Sequence, residues 1–321
     1  MGQLLPAFAQ CKIAKPVALV SGSPEKANRE AMRYGVDPKN IYNYENFDTI
    51  KDNPAVDVVY IVLPNGMHAE YTIRAAKAGK HVLCEKPMAN TVEECESMIE
   101  ACKTADRKLM IGYRLRYEPL TKRAIELAQS EESTGKIKVI TAEAGFNIGD
   151  PNQWRLNKKL AGGGSMMDIG IYALNATRYL SGEEPTEITA MSYATPNDVR
   201  FKEVEETINF QMRFPSGAMA NCVSTYGFGI NRVRVYGTRG QVEMEPFLNY
   251  TGDRLYAGRG RGRQEVQIEP ANHFASEMDH MATCVLNNEM PLTPGEEGLR
   301  DLKIMMGAYE SARTGRLVKL S

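Results

Sequence analysis

A chain of 321 residues is longer than one typical domain, and a hydrophobic fraction of 43% is enough to build two cores. The formal net charge of −1 gives no electrostatic drive toward nucleic acid or anionic membranes, and no apolar run is long enough to span a bilayer. The six cysteines form no C-x-x-C pair and read as reduced cytoplasmic thiols. Met1-Gly2-Gln3 does not open a signal peptide, so a cytoplasmic location is expected for the sequence as written, with an export signal upstream of Met1 left open.

The first third alternates short apolar runs with helical patterns, as in a doubly wound parallel sheet. Strands are expected at 17–21, 56–63, 81–84 and 109–113, the second continuously apolar and buried. Helices are expected at 24–34, at 68–78 with Gly79 as the stop, and from a Thr91/Glu94 capping box to about residue 105. After a helix at 119–129, runs at 138–146, 187–193, 206–214, 218–226, 232–236 and 241–245 alternate with turns and read as a large, mostly antiparallel open sheet. Thr293, Pro294 and Glu296 are expected to cap a last helix that Gly315 ends. The expected organisation is a Rossmann-like α/β domain over 1–117 and an α+β domain over 118–321.

Chemistry concentrates in Glu85-Lys86-Pro87, which follows a strand, and in Asp168 and Tyr172 far downstream. A phenol serves as a base near neutrality only with a cation beside it, and Lys86 is the cation expected to do this. Asp168 and Tyr172 stand four residues apart, so a helix over 166–180 would present both on one face to a single substrate hydroxyl. After the second strand of a dinucleotide fold, an acidic residue suits the ribose of NAD, whereas a phosphate requires hydroxyls and a cation. That place holds Ser21, Gly22, Ser23 and Lys26, which from the residues alone also read as a turn with helix capping.

These motifs occur in order with Leu63-Pro64-Asn65 and His68, Gly112-Tyr113-Arg114, Gln153-Trp154-Arg155, Ala161-Gly162-Gly163-Gly164-Ser165 and Asp168-Ile169-Gly170-Ile171-Tyr172. Over residues 17–317 the chain resembles the glucose-fructose oxidoreductase branch of the Gfo/Idh/MocA oxidoreductases. Many relatives have histidine where Tyr172 stands, and tyrosine in this setting is similar to the sugar-oxidising branch. The resemblance implies an NADP-dependent sugar oxidoreductase, with aldose oxidised at the anomeric carbon and a second sugar reduced by the same tightly held cofactor. It implies Lys86, Asp168 and Tyr172 as catalytic residues. It places Ser21, Gly22, Ser23, Lys26, Leu63, Pro64, Asn65, His68, Glu85, Lys86, Arg114, Trp154 and Arg155 around NADP, and it points to homodimers or homotetramers. By the same comparison the central strand and its G-x-G-x-x-G loop are missing from the sequence as written, residues 1–11 reading as the later part of the first helix. A gene model begun at an internal methionine, or a clipped chain, is the expected reason, and weak or absent NADP binding the expected consequence.

Tyr117, with Tyr113 and Arg116 beside it, is a candidate for the substrate pocket wall together with Lys86, Asp168 and Tyr172, although each also suits a core or a surface. The run Gly258-Arg259-Gly260-Arg261-Gly262-Arg263 reads as a hairpin loop and not as an RNA-binding patch. Glu277 and His280 have an i, i+3 metal spacing without a partner motif, so they read as a solvated helix face, and no metal site is expected. Met305 and Met306 read as core filler. The alternative function is a non-catalytic carbohydrate-binding or scaffold protein disabled by the missing loop.

Overall fold

The computed structural model describes residues 2–320. Leu4–Ala7 form one helical turn, α1, continued by a 3-10 turn at Phe8–Gln10. Strand β1 (Leu19–Val20) leads into α2 (Pro24–Tyr34), where the Ser23 side chain accepts the Lys26 amide, Pro24 sits in the first turn, and Gly35 closes the helix at φ +69°. Strand β2 (Ile41–Tyr42) pairs in parallel with β1. Strands β3 (Val58–Ile61), β4 (His81–Glu85) and β5 (Leu109–Gly112) form a second parallel group, connected by α3 (His68–Lys77) and α4 (Val92–Thr104). The Thr91/Glu94 capping box is present, with both reciprocal bonds made.

The parallel strands therefore lie in two pieces, with a groove of about 300 Å³ between β1 and β3. This corrects one expectation. Val58, Val59 and Tyr60 are only half-buried, because β3 is an edge strand facing that groove.

Beyond α5 (Pro119–Gln129) the chain forms β6 (Ile137–Gly145), then the short α6 (Lys158–Ala161) and α7 (Ile171–Ser181). Strands β7 (Glu187–Tyr193), β8 (Thr207–Arg213), β9 (Met219–Thr225), β10 (Ile230–Gly237) and β11 (Gln241–Met244) follow. The hairpin of β12 (Leu255–Gly258) and β13 (Gln264–Glu265) carries the Gly-Arg run at its turn, and β14 (Val318–Lys319) ends the sheet. The nine strands run in the order β13-β12-β11-β10-β6-β9-β8-β7-β14, antiparallel throughout except for the β6–β9 pair. Alternation along β8 buries Ile208, Phe210 and Met212 on one face, which α7 and α9 (Gly295–Thr314) cover.

Two late helices join the sheets. Helix α8 (His273–Leu286) returns to the parallel strands, packing Phe274, Met278 and Met281 against Leu83 and Met110. Helix α9 packs on α4, β5 and β7. Its start differs from expectation: Thr293 does not cap it, because the Thr293 hydroxyl donates to the Ile111 carbonyl at 2.7 Å, and Pro294 holds the cap position without a side-chain bond. Gly315 ends it at φ +66°, as expected. Among the described residues no helix is long and apolar enough to cross a membrane.

Candidate active site

Loops at the carboxyl ends of β3 and β4, the 3-10 turn Arg114–Tyr117 after β5, and segments of the large-sheet region enclose a cleft of about 910 Å³. Ligands of open parallel sheets bind at this end of the strands, where successive loops diverge. Lys86, Asp168 and Tyr172 all line the cleft, so the structure brings the three expected catalytic residues together.

Asp168 lies in a five-residue π turn, Met166–Gly170, that runs into α7. A continuous α-helix was expected. The turn packs closely on β9 at Gly170, where a Cβ would stand 2.8 Å from the Ser224 side chain. Lys86 Nζ donates to the Asp168 carbonyl at 2.5 Å and to Oδ1 at 3.2 Å, while Arg155 Nε and the Tyr226 hydroxyl donate to Oδ2 at 2.9 and 3.1 Å. Burial opposes the charge on Asp168, but Lys86 and Arg155 outweigh it and hold the carboxyl below its usual range. Burial likewise opposes the Lys86 ammonium, and Tyr172, Asp168 and Glu85 outweigh it, so its pKa is raised.

Lys86 meets Tyr172 differently from expectation. Its Nζ stands 4.8 Å from the centroid of the Tyr172 ring, whereas the cation that reaches the hydroxyl is Arg114, whose Nε donates at 3.2 Å. Arg114 is 5% exposed, stacks between Tyr172 and Tyr250, and donates from Nη1 to the Asn249 carbonyl at 3.1 Å and from Nη2 to that of Leu248 at 2.5 Å. Beside it, burial and the Arg114 charge push His273 down from 6.5 to about 4.

Of the residues expected around the cofactor, Leu63, Pro64, Asn65, Glu85, Arg114, Trp154 and Arg155 line the same cleft. The Asn65 amide ties its loop to the Ala161 carbonyl at 2.9 Å, and the Arg155 guanidinium lies 4.7 Å from the Trp154 ring. His68 does not line it. At 1% exposure, its ring nitrogens face the carbonyls of Pro87 and Leu63 at 2.9 and 2.8 Å, so it ties the two strand ends from behind.

Tyr117 is also outside the cleft. The 3-10 turn aims Arg114 inward and Tyr117 to the opposite side, where its hydroxyl meets Thr293 Oγ1 at 3.0 Å and its ring packs on His280. Tyr113 and Arg116 face a separate small apolar cavity beside Tyr179, the Arg116 guanidinium 4.0 Å from that ring.

Ser21 and Lys26 line the β1–β3 groove, and Ser23 caps α2. The structure shows the turn with helix capping: the Ser21 hydroxyl accepts the Ser23 amide at 3.1 Å, and a Cβ on Gly22 would come within 2.9 Å of the Tyr44 ring. Two hydroxyls and a cation at the amino end of an 11-residue helix, with no carboxylate in the Ser21–Lys26 turn except Glu25, suit a ribose phosphate.

Sequence reasoning missed several contributors. Glu205 accepts the Gly164 and Met166 amides at 2.8 and 2.9 Å and the Tyr309 hydroxyl at 2.9 Å, which fixes the glycine-rich loop before Asp168. The glycine triplet was the available signal for such a close approach. Tyr226 and the loop at 248–251 lie in turns whose spatial partners no local pattern reveals. Glu277, expected on a solvated face, is fully buried on α8 against Tyr60. Among the described residues no group of three or more metal-ligating side chains is present.

A parallel α/β unit joined to a broad open sheet, with a cationic cleft where they meet, defines a dinucleotide-binding oxidoreductase fold. Residues 3–113 match the model of the oxidoreductase family with NAD-binding Rossmann fold and residues 122–243 match the Gfo/Idh/MocA C-terminal domain, and the chain belongs to the Gfo/Idh/MocA oxidoreductase family. It is similar to the crystal structure of an aldose-aldose oxidoreductase from Caulobacter crescentus complexed with glycerol, at 50% identity and a TM-score of 0.96 over 99% of this chain and 95% of that one. It is 33% identical to the D-xylose 1-dehydrogenase [NADP(+)] of Haloarcula marismortui over 99% of this chain and 89% of the relative. A second such enzyme, from Haloferax volcanii, is 33% identical over 86% of this chain and 84% of its own length.

Proposed function

We propose that the protein is an NADP-dependent sugar oxidoreductase that oxidises an aldose at its anomeric carbon. One observation carries this reading: the Tyr172 hydroxyl receives Arg114 Nε–H at 3.2 Å while Lys86, tied to Asp168, lies against the same ring. Tyr172 takes the proton of the anomeric hydroxyl. For this it acts as the phenolate, which the Arg114 N–H directed at its oxygen and the Lys86 ammonium at its ring face stabilise, and the transfer leaves a neutral phenol. Asp168, held by Lys86, Arg155 and Tyr226, anchors the sugar hydroxyls. As the anomeric oxygen forms its double bond, the C–H bond breaks with its electron pair. A bound NADP would supply the acceptor for that hydride.

Ser21, Gly22, Ser23 and Lys26 would hold the ribose phosphate, and Leu63, Pro64, Asn65, Glu85, Arg114, Trp154 and Arg155 would hold the rest of NADP. The names of the NADP-dependent xylose dehydrogenases support this cofactor and substrate class. The aldose-aldose oxidoreductase likeness supports a second half-reaction in which the retained cofactor reduces another sugar. A purely carbohydrate-binding role would not require a buried Arg114 directed at the phenol with a second cation, Lys86, over its ring. The chain divides after Tyr117 into a cofactor unit and a substrate and assembly unit, with α8 packed back on the first, and it assembles as a homodimer or homotetramer.

The test is NADPH formation, followed by absorbance, when the purified protein meets NADP and D-xylose or D-glucose. Turnover with an aldose supports the reading, and binding of sugar without reduction of NADP under any condition overturns it.

A further inference from the structure

Behind the cleft wall, two carboxylates converge on one hydroxyl. The Tyr60 hydroxyl of β3 lies 2.8 Å from Glu85 Oε1 and 3.2 Å from Glu277 Oε2. Glu277, on α8, is 0% exposed, and its Oε1 has no hydrogen-bond partner among the described residues. A phenol owns one hydrogen and can donate it to one carboxylate only. A second anion at hydrogen-bond distance from the same oxygen would accept nothing, and Glu277, itself shut off from water, would hold its charge close to that of Glu85. The arrangement is satisfied when one of the two acids keeps its proton.

Which acid keeps it follows from the surrounding charges. Burial raises the Glu85 carboxyl as well, but Lys86 and then Arg114 oppose it there, and Glu277 has no such lysine, so Glu85 is the better anion of the two. Tyr60, Glu85, Arg114 and Tyr117 are the titratable and charged groups that face Glu277, and Arg114 is the one cation among them. Burial and the Glu85 charge push Glu277 well above the usual carboxylate range. A protonated Glu277 then donates from Oε2 to the Tyr60 oxygen, and Tyr60 donates to Glu85.

We propose that Glu277 is a positioning residue of the reaction site: as a neutral carboxylic acid it fixes Tyr60 as a donor to Glu85, which keeps Glu85 the anion beside Lys86. The kinetic consequence rests on the role proposed for Lys86, whereas the protonation state of Glu277 does not, so the two are read separately.

The first readout is the infrared difference spectrum of wild type minus Glu277→Gln at pH 7. The expected result is a carbonyl stretch of a protonated carboxylic acid present in the wild type and lost in the variant. No such difference overturns the proposal whatever the activity. The second readout is kcat/KM against pH. The wild type is expected to lose activity on the alkaline side as Glu277 deprotonates. Glu277→Gln, which keeps a donor to Tyr60, should remove that limb while retaining most activity at pH 7, and Glu277→Leu should lose about tenfold, mainly in kcat. Tyr60→Phe removes the hydroxyl through which Glu277 acts and serves where the leucine variant does not fold; the limb should vanish there too. Equal behaviour of the glutamine and leucine variants, or an alkaline limb that persists in both Glu277→Gln and Tyr60→Phe, would assign Glu277 a space-filling role and overturn the proposal.

Discussion

The Nε–H of Arg114 donates to the hydroxyl of Tyr172 at 3.2 Å, and the same guanidinium holds the carbonyls of Leu248 and Asn249. One side chain thus joins the proposed proton acceptor to the loop that walls the cleft. Lysine cannot reproduce a planar fork that serves three oxygens in fixed directions. Arg114→Lys should therefore lower kcat by roughly tenfold to a hundredfold, because an aligned donor that favours the phenolate form of Tyr172 is lost. Lys86→Ala and Tyr172→Phe should each lower it by about a hundredfold or more while changing NADP affinity much less. Steady-state kinetics beside calorimetric titration of NADP separates the two effects. Near-normal turnover in Tyr172→Phe would remove the proton path.

One contribution to stability around this site, that of His273, should be lost in acid. His273 falls from 6.5 to about 4 through burial and the Arg114 charge, so the folded protein binds fewer protons than the unfolded chain between those values. Its stabilising contribution is complete above pH 6.5 and is lost as the pH falls through about 4. Asp168, also depressed, adds a loss of the same sign at lower pH, below the ordinary carboxylate range. Asp253, raised by burial to about 6, contributes with the opposite sign over much of this range, so the measure is the change in slope of urea stability against pH between wild type and His273→Phe. An unchanged slope in that variant would place the acid sensitivity elsewhere.

Glu205 offers a test of how the glycine-rich loop is held. Its carboxylate satisfies two backbone amides and the Tyr309 hydroxyl in the interior. Removing it leaves three donors, each worth about 1 to 3 kcal/mol when buried and unpaired. Glu205→Ala should thus cost on the order of 3 kcal/mol or more by urea denaturation, and kcat should fall with it as the π turn carrying Asp168 loosens. A fully stable alanine variant would mean that the loop holds itself.

The elements of this fold were legible because their signals are local. Pro24 to Gly35, the Thr91/Glu94 box and the alternation through Ile208, Phe210 and Met212 each state a capping or a periodicity that the structure repeats. Lys86, Asp168 and Tyr172 were legible as a set because their motifs are unusual in type and order. What was not legible is direction. The 3-10 turn that sends Arg114 into the cleft and Tyr117 out of it leaves no periodic trace in four residues. The burial of Glu277 depends on α8 crossing back over β3 and β4, a contact more than 200 residues apart in sequence. Thr293 follows the same logic, its expected cap being overridden by a strand carbonyl that needed a donor.

Cofactor choice should depend on a charge that plays little part in holding the fold. Lys26 lies exposed in the first turn of α2, its backbone amide donating to Ser23 Oγ, and it lines the same groove as Ser21. A charge-assisted bond to a phosphate contributes about 1.5 to 3 kcal/mol, so Lys26→Glu should shift the NADP-to-NAD preference toward NAD by roughly tenfold to a hundredfold. The ratio of kcat/KM for the two cofactors checks this, with thermal melting expected to stay unchanged. A constant ratio would move the phosphate site away from this turn.

The outer face of the nine-stranded sheet should be an interface between copies. Met219 of β9, Val139 of β6 and Tyr236 of β10 lie side by side across three paired strands, and Met191 of β7 is 78% exposed. The helices α7 and α9 cover only the opposite face. A broad sheet with apolar side chains on an uncovered face is stabilised by pairing with a second sheet of the same kind, and two-fold symmetry makes one patch serve as both halves. The wild type should therefore scatter light as a dimer or tetramer at micromolar concentration. Met219→Glu combined with Tyr236→Glu sets like charges against each other across the two-fold axis, and at this exposed face it should leave the protomer fold intact, so the scattering mass should fall to that of one chain with circular dichroism unchanged. A wild type that is monomeric at that concentration, or a double variant that stays assembled, would show that this face is not the interface.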